Sequence, residues 1–118
     1  MTLRWSNIII DCDDPKVVAS FWSKAHNLPL QGPENDEWWI EPGGDIPDIL
    51  FLHVPEKKSV KNPVHLDLRP DDQKAEVQRL GELGARPVDI GQRDVSWVVM
   101  ADPEGNEFCV LQPRAQAG

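Results

Sequence analysis

The stretch Trp97-Val98-Val99-Met100-Ala101-Asp102-Pro103-Glu104-Gly105-Asn106-Glu107 decides how this chain reads. Val95 to Met100 has the apolar, β-branched composition of a strand. Asp102-Pro103-Glu104-Gly105 follows with turn chemistry: Asp bonds to nearby backbone, Pro fixes its own φ, and Gly accepts the left-handed region. Glu107 to Gln112 then resumes a strand, and from Pro113 onward a fraying tail is expected. The closing unit is therefore strand, turn, strand.

Upstream, a shift of 58 residues uncovers a repeat. Asn7-Ile8-Ile9-Ile10 falls on His65-Leu66-Asp67-Leu68, Asp13-Asp14 on Asp71-Asp72, Lys16 on Lys74, and Trp39 on Trp97. Each match is weak, but they share one offset of about half the chain. The first module reads as a strand over Arg4 to Cys12, then a helix capped by Asp13-Asp14-Pro15, with Val17, Val18, Phe21, Trp22 and Ala25 at helical spacing. Leu28-Pro29-Leu30 ends the helix and begins a short strand. Glu37 to Glu41 and Ile49 to Val54 supply two more strands around the turn Pro42-Gly43-Gly44. Pro55 to Pro63 reads as an exposed linker. The second module repeats the order: a strand over Val64 to Arg69, a helix capped by Asp71-Asp72 with Ala75, Val77, Leu80 and Leu83 on its apolar side, and a stop at Gly84. A short strand over Pro87 to Ile90 then precedes the closing unit. The expected architecture is α+β, one domain over 1–118 with modules at 1–57 and 63–113, each β-α-β-β-β. Their sheets are expected to form one curved surface with helices outside.

The bulk properties narrow the function. The 118 residues are 40% hydrophobic and carry a net charge of −8. Acidic balance disfavours nucleic acid and favours a cationic small molecule. No apolar run approaches the roughly 20 residues that span a bilayer, and Met1 to Trp5 lacks a signal-peptide pattern, so a cytoplasmic protein without membrane contact is expected. Cys12 and Cys109 are far apart and expected to be thiols. There is no Gly-rich phosphate loop, no GxSxG and no HExxH. Asp13-Asp14 and Asp71-Asp72 read as helix caps rather than catalytic carboxylate pairs.

The module order and three segments resemble the glyoxalase/bleomycin-resistance/dioxygenase (vicinal oxygen chelate) superfamily, in its small glyoxalase-like subgroup. They are the Asp102-to-Glu107 turn, Val64-His65-Leu66-Asp67-Leu68 with Asp71-Asp72, and Asp13-Asp14-Pro15 followed by Phe21-Trp22. The resemblance spans nearly the whole chain and implies a homodimer. It does not choose among metal-dependent isomerases, epimerases, dioxygenases and thiol transferases and metal-free drug-sequestering proteins.

Metal-dependent relatives set four His, Gln or Glu ligands on the inner sheet face. Carried over, those positions fall on Asn7, near Phe51 or Leu52, on His65, and on Cys109. Asn7 is a weak ligand and neither Phe51 nor Leu52 is one. His53 shares a face with Phe51. Glu107 shares one with Cys109. No metal is therefore expected; a divalent metal held by His65, Glu107 and Cys109 is the alternative. A plainer reading pairs His65 with Asp67 or Asn7 and treats Cys109 as a small buried hydrophobe.

Alternation directs Asn7, Ile9 and Asp11, then His65, Asp67 and Arg69, then Glu107, Cys109 and Leu111 to the inner face. Trp39 and Trp97 hold equivalent places. Trp22 is expected in the core, and adjacent Trp38 and Trp39 must point opposite ways. The leading expectation is metal-free binding of a small, partly aromatic molecule by Asn7, Trp39, Asp67, Trp97 and Cys109. The alternative is a metal-dependent lyase, isomerase or dioxygenase with His65 and Glu107 catalytic. A third reading, a dimerisation unit, has no residue in its favour.

Overall fold

The apolar stretches form the elements their periods predict, mostly in shorter form. A computed structural model of the chain describes residues 2–113. They fall into two compact units divided between Lys57 and Lys58. The first holds β1 (Asn7–Cys12), α1 (Pro15–His26), β2 (Gln31–Glu34), β3 (Glu37–Ile40) and β4 (Asp48–His53). The second holds β5 (Leu66–Leu68), α2 (Gln73–Glu82), β6 (Arg86–Pro87), β7 (Val98–Ala101) and β8 (Glu107–Val110). This is the expected α+β class, with β-α-β-β-β twice. The tail predicted to fray lies, beyond Pro113, outside the described residues.

Each unit builds a four-stranded mixed sheet, ordered β1-β4-β3-β2 in one and β5-β8-β7-β6 in the other. In each, the first strand pairs parallel with the last and the other pairs are antiparallel. The sequence offset returns in the helix caps. Asp14 Oδ1 accepts the Val17 N–H at 3.4 Å, and Asp72 Oδ1 accepts the Ala75 N–H at 3.1 Å. One carboxylate of each acidic pair thus satisfies an open donor at a helix start. Gly84, at φ +120, takes the left-handed turn after α2.

Several boundaries differ from the sequence expectation. Only Leu66, Asp67 and Leu68 have partners in β8, so the strand expected over Val64 to Arg69 shrinks and His65 precedes it. The strand expected over Val95 to Met100 is Val98–Ala101, which leaves Trp97 outside. That expected over Pro87 to Ile90 is Arg86–Pro87. Composition proposes a strand, but the ladder partner sets its length. Val17 was expected on the buried face of α1 and is 48% exposed; the buried stripe is Val18, Ala19, Phe21 and Trp22. On α2 only Leu80 is buried, and Ala75, in the capped first turn, faces solvent.

Register fixes the faces of the first sheet. Ile8, Ile10 and Cys12 share a side with Ile40, Ile49 and Phe51, and α1 packs on it. Phe51 and Ile40 are fully buried there. The opposite side carries Asn7, Ile9 and Asp11 beside Asp48, Leu50 and Leu52, with Trp39 opposite Leu50. Lys16 of α1 lies 5.7 Å from the Trp38 ring centre, so Trp38 faces the helix and Trp39 the open side. In the second sheet Leu66, Leu68, Met100, Phe108 and Val110 share one side, and Asp67, Val99, Cys109, Ala101 and Glu107 the other.

Candidate functional site

The open side of the first sheet holds a cleft of about 300 Å³, at the lower end of the roughly 300–1,000 Å³ usual for small-ligand sites. Trp39 and Leu50 line it with Asn7 and Asn35. Its charged lining is Glu34, Glu37 and Asp48, and no described basic side chain joins them. The β2–β3 hairpin explains this grouping. Asn35 and Asp36 both take positive φ, 52° and 62°, giving the two-residue turn that suits strand twist. The turn sets Glu34 directly opposite Glu37. Like charges facing each other across strands destabilise a hairpin. The parallel β1–β4 register brings Asp48 beside Asn7, whose Oδ1 accepts the Ser6 hydroxyl at 2.6 Å. The Trp39 ring is steadied by its Nε1–H, which donates to Glu41 Oε1 at 3.1 Å.

The side of the second sheet that carries Asp67, Cys109 and Glu107 gathers a different set. Asp67 pairs in register with Cys109, and His65 lies two residues before Asp67, so all three project together. His65 Nε2 lies 3.1 Å from Asp67 Oδ1. One ligand atom from each of His65, Asp67 and Cys109 lies within 4.8 Å of the others. His65 and Asp67 are exposed and Cys109 is buried. Burial first, then the charge of Asp67 and a hydrogen bond to it, push the Cys109 thiol above its ordinary value, against a smaller pull from Lys61.

Glu107 stands apart from that group. Its Oε1 takes the Lys58 ammonium at 2.8 Å and its Oε2 accepts the Asn62 N–H at 3.1 Å. Burial works to raise its carboxyl, but the hydrogen bonds from Lys58, Asn62 and its own backbone, with the Lys58 charge, hold it below the usual range. Glu107 also lines a second cleft, of about 310 Å³, with Lys58, Arg86, Asp89 and Glu104.

Of the residues singled out in the sequence, the structure brings Asn7 and Trp39 together on the first unit, and His65, Asp67 and Cys109 together on the second. Trp97 lies outside any strand and is 40% exposed. Glu34, Glu37 and Asp48 were not singled out. Glu37 was legible by alternation, since it lies two residues before Trp39 on one strand. Glu34 and Asp48 needed the hairpin turn and the parallel register.

Of the four metal positions implied by the resemblance, the two on the first unit carry no fitting ligand, while His65 and Cys109 lie together with Asp67. Asn7 offers a neutral amide, already engaged by Ser6. Phe51 is fully buried on the helix side, Leu52 is apolar, and exposed His53 lies by alternation on the side of Phe51.

Two matching sheets, each covered by one Asp-capped helix and each parallel only between its first and last strand, define a two-module β-α-β-β-β protein. The chain belongs to the glyoxalase-like domain family, which matches residues 7–111. Solved structures of the glyoxalase/bleomycin-resistance/dioxygenase superfamily share the fold. The oxidase ChaP-H2 is 15% identical with a TM-score of 0.69, over 100% of this chain and 99% of that one. The fosfomycin resistance protein FosX from Mesorhizobium loti is 16% identical with a TM-score of 0.70, over 94% and 92%. The bleomycin resistance determinant encoded on the transposon Tn5 is 14% identical with a TM-score of 0.62, over 96% and 100%. No curated protein matches the chain in sequence. Among the described residues, no helix is long and apolar enough to cross a membrane.

Proposed function

We propose that this chain binds a small, cationic, partly aromatic molecule on the open face of its first sheet, with no metal in the contact. One observation carries the reading: three carboxylates, two of them a like-charged cross-strand pair, surround Trp39 and Leu50 without a basic neighbour in the lining. A bound cation relieves the repulsion between Glu34 and Glu37, and the Trp39 face attracts it further. The overall charge of −8 draws a cation from a distance. Two relatives in fold are named for resistance to drugs, which is in keeping with small-molecule binding. In this reading residues 1–118 act as one domain of a cytoplasmic homodimer.

The test is a fluorescence titration with ethidium, a planar cation, repeated with Trp39→Ala. Saturable binding that weakens in the variant supports the reading; binding that ignores Trp39 removes its basis.

The grouping of His65, Asp67 and Cys109 favours a second reading, a metal-dependent lyase, isomerase or dioxygenase reaction. Here His65 is the base or ligand, with Asp67 rather than Glu107 beside it. Turnover of dicarbonyl or catechol substrates by metal-supplied protein, lost in His65→Gln, would favour it over the first.

A further inference from the structure

We infer that the cleft between β6 and the β7–β8 turn binds a small zwitterion, an α-amino acid with a short aliphatic side chain, holding its carboxylate at Arg86 and its ammonium at Asp89. This cleft of about 310 Å³ is lined wholly by the second unit, so it shares no residue with the cation site around Trp39. Register explains the hollow. Arg86 stands opposite Ala101 across β6 and β7, and Ala101 opposite Glu107 across β7 and β8, so the three side chains form one row on one side of the sheet. Neighbouring strands lie about 4.8 Å apart, and the middle residue of the row contributes only a methyl group. A gap is therefore left between Arg86 and Glu107. Gly105, at φ +89, adds no side chain to the wall: Arg86 Nη2 and Lys58 Cδ each lie 3.8 Å from the point where its Cβ would stand. The Val88 N–H donates to the Val99 carbonyl at 3.0 Å, which continues the β6–β7 pairing and brings Val88, Asp89 and Ile90 to the rim.

Charge then selects the ligand. The Glu107 carboxylate is already taken by Lys58 at 2.8 Å and by the Asn62 N–H. Arg86, by contrast, has no ion-pair partner among the described residues. Asp89 uses Oδ1 for the Gly91 N–H at 2.7 Å, which leaves Oδ2 to a ligand. Arg86 and Asp89 thus line one cleft with opposite charges and do not pair with each other. A molecule carrying both charges on neighbouring groups bridges them. A simple anion would meet Asp89 and Glu104 as well, and a simple cation would meet Arg86. The planar guanidinium matches a carboxylate through two parallel hydrogen bonds. Val88 and Ile90, the latter 40% exposed, offer apolar surface to an aliphatic side chain.

Calorimetric titration of the full chain with L-valine provides the test, alongside isovalerate, which lacks the ammonium, and isobutylamine, which lacks the carboxylate. The expected result is one saturable valine site, with each analogue bound at least about tenfold more weakly, the order of loss for one charge-assisted contact. Arg86→Gln and Asp89→Asn should each raise the valine Kd by about tenfold. Both residues are exposed, and Asn keeps an oxygen for the Gly91 N–H, so both variants should keep the parent's circular dichroism. No saturable valine binding, equally tight binding of isovalerate or isobutylamine, or a Kd unchanged in either variant would overturn the assignment. L-valine has no aromatic ring, so its binding and that of ethidium are read separately, and loss of one leaves the other standing.

Discussion

Replacing Asp102 with Ala should cost about 3 kcal/mol of folding stability. Asp102 is fully buried in the turn between β7 and β8. Its Oδ1 accepts the Glu104 N–H at 2.9 Å and the Asn106 N–H at 3.0 Å, and its Oδ2 accepts Asn106 Nδ2 at 2.9 Å. The Asp102 carbonyl also accepts the Gly105 N–H at 2.8 Å, with Gly105 at φ +89. Asp102→Ala leaves that backbone bond and removes the acceptor of the other donors. A hydrogen bond to a charged group contributes about 1.5–3 kcal/mol, and water reaching the part-buried donors reduces this to about 1 each. At roughly 4 °C per kcal/mol for a chain of this length, Tm falls by about 12 °C. Asp102→Asn keeps one acceptor oxygen and should lose about half as much. Urea unfolding followed by tryptophan fluorescence and by far-ultraviolet circular dichroism measures this, provided the two transitions coincide. An Asp102→Ala variant within about 1 kcal/mol of the parent, at unchanged m-value, would refute the turn's proposed role.

Two further outcomes follow from charge placement. Glu37→Gln removes one half of the Glu34–Glu37 repulsion, so it should raise the urea midpoint by the equivalent of about 0.2–1 kcal/mol while weakening ethidium binding in the same preparation. Glu107 has a folded pKa below its ordinary value of about 4.3. The stability it contributes is therefore complete above that ordinary value and is lost as pH falls through the lower folded one. Urea midpoints between pH 7 and pH 3 should decline less steeply in Glu107→Gln than in the parent; parallel curves would mean that the Lys58 contact adds nothing to folding.

The sequence disclosed the fold more fully than the site. Two signals that agree carried the fold: helix caps at Asp14 and Asp72 at one common offset, and a turn whose Asp, Pro and Gly each have a local backbone task. Such signals act over a few residues and need no partner. Strand ends do need one, which is why His65 and Trp97 fall outside the strands drawn for them. Alternation placed His65 with Asp67, because a strand's two faces follow from parity alone. It did not reveal that Asp48 stands beside Asn7, or that Glu34 meets Glu37, since both depend on register. Lys58 and Asn62 sit in a segment that reads only as a linker, yet they bond to the Glu107 carboxylate.

The most direct test of the cation-binding account is calorimetric titration of ethidium into chelator-treated protein at low and moderate salt. The account predicts one saturable site per chain, weakened by salt. It also predicts a Kd about tenfold higher in Trp39→Ala, in line with a cation–aromatic contribution of roughly 1–2 kcal/mol. Absence of saturable binding, or an affinity unchanged by Trp39→Ala, would contradict it.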